Sequence, residues 1–213
     1  VSSSSSPMLG KKYAGCSSEE RQKLRQQQII AAGIRLFGSQ GFHNSSVRAI
    51  CSEAGLTSRY FYESFESTEA LLIACYQQLM SGFRKELLQT LKESTDINDF
   101  ITKGLYCFYR EVSNPAFAQI TMLEVLGISE SVDAIHMNQT RSFGLLMIDT
   151  LATSRFPASM PRARLEALGY SVCGAMAFSA IDWMKSGYKL SIDDVVANSR
   201  MILSGVVGQL GAL

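Results

Sequence analysis

The sequence predicts an all-α protein: an N-terminal three-helix helix-turn-helix unit joined by a long helix to an all-helical body. Three observations carry this. Only 4 prolines occur in 213 residues, which leaves room for long helices. Apolar residues recur at helical spacing between hydroxyl or acidic start signals and glycine or proline stops. No stretch alternates strongly enough to read as a strand. An apolar fraction of 46% with a mean hydropathy of +0.08 lets such a chain bury a sizeable core.

The Ser-rich start, residues 1–17, lacks the apolar run of a signal peptide and reads as a flexible arm outside the fold. Ser17 or Ser18 with Glu19 and Glu20 opens the first helix, because a hydroxyl and early acids satisfy the exposed amides. Leu24, Ile29, Ile30, Ile34, Leu36 and Phe37 form its apolar stripe, and Gly38 and Gly41 are expected to stop it. Ser46 caps a short second helix with Val47, Ile50 and Cys51 inward. Ala54-Gly55-Leu56 makes a tight turn, and Thr57 caps a third helix running from Ser58 to Phe65. Ser67 with Glu69 starts a long helix through Leu91. Further helices are expected over Ile97 to Ser113, Pro115 to Gly127, Ser129 to Arg155, Pro161 to Gly187 and Ile192 to Leu210. Pro115 and Pro161 suit first turns. Breaks are expected at Asn114-Pro115, Phe156-Pro157, Met160-Pro161 and Gly187.

The net charge of +1 is uninformative, but its distribution is not. Lys11, Lys12, Arg21, Lys23, Arg25, Arg35 and Arg48 are opposed only by Glu19 and Glu20, which suggests a polyanion partner at this end. The 5 cysteines are scattered, form no CxxC pair and stand apart from His43 and His136. That spacing argues against zinc and against a disulfide framework, and fits a reducing, cytoplasmic setting. Charges interrupt every apolar run, so no membrane span is expected. No metal and no cofactor is expected.

The segment SVRAICSEAGLTSRYFYESF, from Ser46 to Phe65, is the informative one. A helix-turn-helix needs two short helices crossing steeply around a turn that usually holds glycine. Ala54 would permit close approach, Gly55 would take the left-handed conformation, and Leu56 would plug the gap. Phe61 and Phe65 lie four apart and face inward, leaving Arg59, Tyr60 and Glu63 outward, where base edges are read. A plain helical hairpin shares the same turn chemistry. The basic first helix and the Tyr60-Phe61-Tyr62 run favour DNA.

From Ile29 to Leu72 the chain resembles the tetracycline-repressor (TetR) family of bacterial regulators. The positions that carry the resemblance are Ala32 or Gly33 with Leu36-Phe37, Gly41-Phe42, Ser46-Val47-Arg48 with Ile50-Cys51, Ala54-Gly55-Leu56-Thr57, and Tyr62 with Phe65. The resemblance implies a homodimer on palindromic double-stranded operator DNA, usually a repressor, whose body recognises a small-molecule effector. It implies phosphate contacts from the Ser46 hydroxyl and from Tyr62. Two positions depart from the family: Thr68 stands where a lysine often opens the fourth helix, and Ser64 where an aromatic or histidine often precedes the last phenylalanine. Both remove expected phosphate contacts, and Arg59 is placed to restore one. The expected DNA-facing set is completed by Lys12, Lys23, Arg48, Thr57, Ser58, Tyr60, Glu63 and Thr68.

These readings divide the chain into an arm (1–17), a DNA-binding unit (18–66) and an effector-binding and dimerisation unit (67–213). Body aromatics and methionines suit an adaptable apolar pocket. Phe108, Met122, Phe143, Met147, Met176 and Phe178 are the candidate lining, with Glu124 as a polar group to orient a ligand, although an acid in such an apolar stretch more often reaches solvent or pairs with a nearby base; each aromatic taken singly reads better as core. His136 reads as a surface or satisfied core residue. The last two helices are expected to form the dimer through Val172, Ala175, Ser179, Trp183, Ile202, Val206 and Leu210. The competing function classes are a small all-helical enzyme and a protein-binding adaptor. No nucleophile–base pair, metal-ligand cluster or phosphate-cradling glycine loop points to an enzyme, and the basic recognition segment counts against an adaptor.

Overall fold

The computed structural model describes residues 17–155 and 160–211. Nine α-helices follow in order among them: α1 (Ser18–Gln40), α2 (Val47–Ala54), α3 (Ser58–Tyr62), α4 (Thr68–Lys92), α5 (Ile97–Val112), α6 (Pro115–Ala118), α7 (Glu130–Arg155), α8 (Arg162–Lys185) and α9 (Ile192–Gly211). A π-helical segment, Gln119–Glu124, continues α6. No strand occurs among the described residues. The expected Phe156-Pro157 break and the Ser-rich arm lie outside them.

The caps explain where most helices begin. Ser17 and Glu20 form a reciprocal capping box on α1, with Glu20 N–H donating to Ser17 Oγ at 3.1 Å and Ser17 N–H to Glu20 Oε2 at 2.6 Å. Ser46, Ser67 and Asp96 accept first-turn amides of α2, α4 and α5 in the same way. Gly41, at φ 84°, ends α1. Gly38 does not stop the helix as expected: it lies inside α1 at a crossing, where an added Cβ would fall 2.5 Å from Ala116. Its smallness therefore serves an approach between α1 and α6. The expected helix from Pro115 to Gly127 is instead one α turn followed by the π segment.

Two apolar cores result. The first gathers Ile29, Phe37, Ile50, Phe61, Leu71 and Tyr76 around α1–α4, and closes with Ile120 of the π segment, Val125 directly after it and Val132 of α7. The helix-turn-helix unit is thus packed on the body along α4, the π segment and the start of α7. The second core runs through Phe83, Leu105, Tyr109, Phe117, Phe143, Met176, Trp183 and Val196. Within the body, Gly144 and Gly169 bring the α7 and α8 backbones together: a Cβ on Gly144 would meet the Gly169 carbonyl carbon at 2.7 Å.

Candidate nucleic-acid interface and body cavity

The five residues of α3 could not hold a helix alone, since nucleation is costly. Complete burial of Phe61 and near-complete burial of Phe65 pin it instead, at about 1.5–3 kcal/mol per buried aromatic. Gly55 takes the left-handed conformation at φ 67° and ψ 30°, returning its N–H to α2 and turning the chain into α3. The helix ends at Tyr62, a turn earlier than the expected Phe65.

On this frame Ser46, Arg48, Thr57, Ser58, Arg59, Tyr62 and Glu63 are all exposed. Ser46 Oγ caps α2 by accepting from Ala49 N–H at 3.2 Å. Thr57 has the backbone of a cap but makes no side-chain capping bond, so its hydroxyl faces outward uncommitted to α3. Lys23 and Arg48 are exposed and take part in no ion pair among the described residues. Arg59 pairs with Glu63 at 2.9 Å, which moderates its charge in the unbound protein. Thr68 is half-buried as the first residue of α4. Lys12 lies outside the described residues. Tyr60 departs from its expected outward position: it is half-buried, with the Arg25 guanidinium 4.4 Å from its ring centroid. The aromatic standing free on α3 is Tyr62, 62% exposed.

The body holds a cavity of about 460 Å³ between α4, α5, the π segment, α7, α8 and α9. Helices α4 and α7 run alongside one another in the same direction, since Tyr76 meets His136 and Phe83 stacks on Phe143 at 5.2 Å. Successive levels of wall are therefore Tyr76 with His136, Met80 with Thr140, Phe83 with Phe143, and Leu87 with Met147. Phe108, Met122, Phe143, Met147, Met176 and Phe178 all border this space. Phe178 does so from α8 while 75% exposed. Sequence reasoning missed Tyr76, Tyr170 and the α8 stripe Cys173-Gly174-Ala177-Ile181. The spacing of that stripe was readable, but its neighbours were not. Burial pushes the Cys173 thiol up to about 11, so it lines the wall as a neutral group.

Glu124 is not part of the cavity wall, and its expected role as a ligand-orienting group is corrected. Its carboxylate turns the other way and accepts from Phe42 N–H at 2.7 Å and from Gln119 Nε2 at 2.5 Å. Thr121 and Met122, in the same π segment, face the cavity. One short irregular segment thus touches the cavity on one side and the α1–α2 loop on the other. His136, expected at the surface or satisfied in the core, is satisfied by Tyr76 but also lines the cavity.

The expected dimer residues separate into two groups. Trp183 is a core residue, edge-on to Tyr109 and Tyr188 and donating from Nε1 to Leu190 O at 2.9 Å. Val172 and Leu210 are buried within the chain too, and Ser179 Oγ accepts from Tyr109 OH at 3.0 Å. Val206 is half-buried at the cavity. What faces outward on α8 and α9 is Ala175, Phe178, Met201 and Ile202, the last three 75%, 74% and 47% exposed. The period of the apolar pattern located the two helices but assigned Val172, Trp183 and Leu210 to the outside, because inner and outer stripes are both apolar.

Residues 29–75 match the family described as bacterial regulatory proteins, tetR family. Over 69 residues, 32% of the chain, the sequence is 40% identical to the uncharacterized HTH-type transcriptional regulator YerO of Bacillus subtilis. Over 74 residues, 35% of the chain, it is 27% identical to the fatty acid metabolism regulator protein of the same organism. These matches span 24% and 38% of those proteins. The fold is similar to that of the transcriptional regulator FadR from Bacillus subtilis, solved in complex with stearoyl-CoA, with a TM-score of 0.71 at 15% identity. That likeness covers 83% of this chain and 96% of the other. Among the described residues no helix is long and apolar enough to cross a membrane.

Proposed function

We propose, from the premise that this chain belongs through residues 29–75 to the tetR family of bacterial regulatory proteins, that it is a dimeric operator-binding transcriptional repressor. A small, largely apolar effector enters the body cavity and releases it from DNA. The observation that carries this reading is the double contact of the π segment. Thr121 and Met122 border the cavity, while Glu124 holds the backbone of Phe42, four residues before the cap of α2. Helix α4 adds a second connection, since it starts directly behind α3 and supplies Tyr76, Met80, Phe83 and Leu87 to the cavity wall.

Two heads reading successive major-groove faces must sit about 34–36 Å apart. The outward face of α8 and α9 is where a second copy would set that spacing, because large apolar side chains there are unpartnered. Recognition falls to α3 through Arg59, Tyr62 and Glu63, with Ser46, Arg48, Thr57, Ser58 and Lys23 positioned for phosphates. Thr68 and Tyr60 flank this surface. An occupant that pushes on Met122 or on the α4 wall moves the head relative to its partner, and it acts only to the extent that it prefers the form unable to span both grooves. The predominantly apolar wall suits an effector with a long hydrocarbon part, in keeping with the stearoyl-CoA held by the structurally similar FadR. No catalytic role is proposed, and the site of action is the cytoplasm, with the DNA.

The test is a pair of titrations on the full chain: fluorescence anisotropy with duplexes carrying the DNA upstream of its own gene, with and without an acyl compound. A log–log salt dependence that is steep and linear marks phosphate binding. Effector that weakens DNA must itself be weakened by DNA by the same factor. Equal effector affinity with and without saturating operator would break the coupling.

A further inference from the structure

We propose that His136, oriented by Tyr76, is the recognition point for the effector's head group, and that it selects an oxygen that accepts a hydrogen bond, an acyl carbonyl or carboxyl, at the end of an apolar chain. This rests on the reading of the cavity as the effector site.

Five polar side chains border the cavity: Tyr76, Thr121, His136, Thr140 and Tyr170. Thr121 Oγ1 donates to Phe117 O at 2.8 Å, and Thr140 Oγ1 to His136 O at 3.0 Å. Tyr170 OH is held by Met137 Sδ at 3.0 Å. Tyr76 OH lies 3.2 Å from His136 Nδ1. Of a phenol and a neutral imidazole, the phenol is the better donor and the ring nitrogen the better acceptor, so Tyr76 donates. That places the imidazole hydrogen on Nε2. Burial keeps both groups neutral, pushing the phenol up and the imidazole down, the latter opposed by Asp133. Apart from the weak thiol donor of Cys173, Nε2–H is then the one side-chain donor bordering the cavity with no protein acceptor among the described residues. An apolar site built around one free donor rewards an acceptor and leaves a hydrocarbon or a cation without a partner.

Its position fits a head group. Beside His136 the wall includes Met137 and Leu126, 37% and 51% exposed, so this level opens towards solvent. Beyond it the wall is mostly hydrocarbon, sulfur and aromatic ring as far as Leu87, Phe100 and Ile101, and the Thr140 hydroxyl at the next level is committed to His136 O. Tyr76 and Leu87 are separated by ~16 Å along α4 at the helical rise, which is chain-length depth rather than ring-sized depth. Thr121 and Met122 of the π segment line the same cavity, so a ligand held in it shares a wall with the segment that reaches Phe42.

The test compares four probes of one chain length on the full protein by calorimetry: hexadecanoic acid, its methyl ester, hexadecane-1-amine and the hydrocarbon, the last as displacement of a bound apolar dye. The acid and ester should bind at least tenfold tighter than the amine and the hydrocarbon. His136→Leu should abolish that preference, bringing the acid and ester to within a few-fold of the hydrocarbon, and His136→Gln, whose amide donor lies near the Nε2 position, should restore it. Tyr76→Phe should weaken the preference without removing it. If acid and ester bind no tighter than the amine, or if His136→Leu keeps the preference, the head-group assignment is wrong although the cavity remains an apolar ligand site. If the four probes bind outside the cavity, with Met147→Trp changing none of them, the cavity reading itself falls.

Discussion

Replacing Glu124 by alanine should loosen the head and blunt its response to the effector. The carboxylate accepts two hydrogen bonds, from Phe42 N–H at 2.7 Å and Gln119 Nε2 at 2.5 Å. A hydrogen bond to a charged group contributes ~1.5–3 kcal/mol net when buried. Glu124 is half-buried and Gln119 can turn to water, so the loss comes to about 2 kcal/mol, mostly from stranding the Phe42 amide. In a chain of this length 1 kcal/mol moves the melting temperature by ~2–4 °C, so Glu124→Ala should melt roughly 4–8 °C lower. Glu124→Gln keeps an acceptor without the charge and should lose about half as much. The informative assay is operator affinity with and without cavity ligand. An ordinary coupling of ~5–150-fold should shrink in Glu124→Ala, because the π segment no longer holds the α1–α2 loop. A variant that melts with the parent protein and releases DNA over the same effector range would refute the reasoning, and would leave α4 as the sole route.

Arg59→Ala should change operator sequence preference, a lost base contact costing ~1–3 kcal/mol, whereas Arg48→Ala should weaken all duplexes alike; competition binding on mutated half-sites separates the two. Met201→Arg or Phe178→Glu should give monomers by light scattering, while Trp183→Ala should instead cost ~3–5 kcal/mol of stability in a urea titration, because it hollows a core; dimers in both surface variants would move the interface elsewhere. Stability should fall on acidification. Burial holds His136 below its ordinary 6.5, so the unfolded chain takes up that proton first; the contribution is complete above 6.5 and lost as pH drops below it. A urea midpoint measured at a series of pH values should slope less in His136→Gln than in the parent.

What could be read in the sequence was local. Ser17 with Glu20, Ser46, Ser67 and Gly55 act through bonds to residues within a turn or two, and each was recognisable from spacing alone. Glu124 was not, because its partner Phe42 is 82 positions away and an acid in an apolar stretch looks the same whether it faces a ligand or a distant amide. Gly38 was misread because a glycine near a helix end signals a stop, and only the arrival of Ala116 from α6 reveals a crossing. Tyr60 was placed outward by its position on α3; Arg25, from another helix, covers it. The cavity's composition was legible as a surplus of Phe and Met, but not the pairing of Tyr76 with His136, which needs α4 and α7 side by side.

The contact between Gly144 and Gly169 limits how the body can accommodate different ligands. Where two backbones already touch, α7 and α8 have no spare room and behave as one stiff plank. A slim chain can slide along that plank without disturbing it. A bulkier one has to make space elsewhere, and the exposed Phe178 of α8 is the wall side chain freest to turn aside. That side chain belongs to the outward face offered to a second copy. If that face is the seam between two copies, as proposed, the girth of a ligand, as distinct from its head group, is registered there.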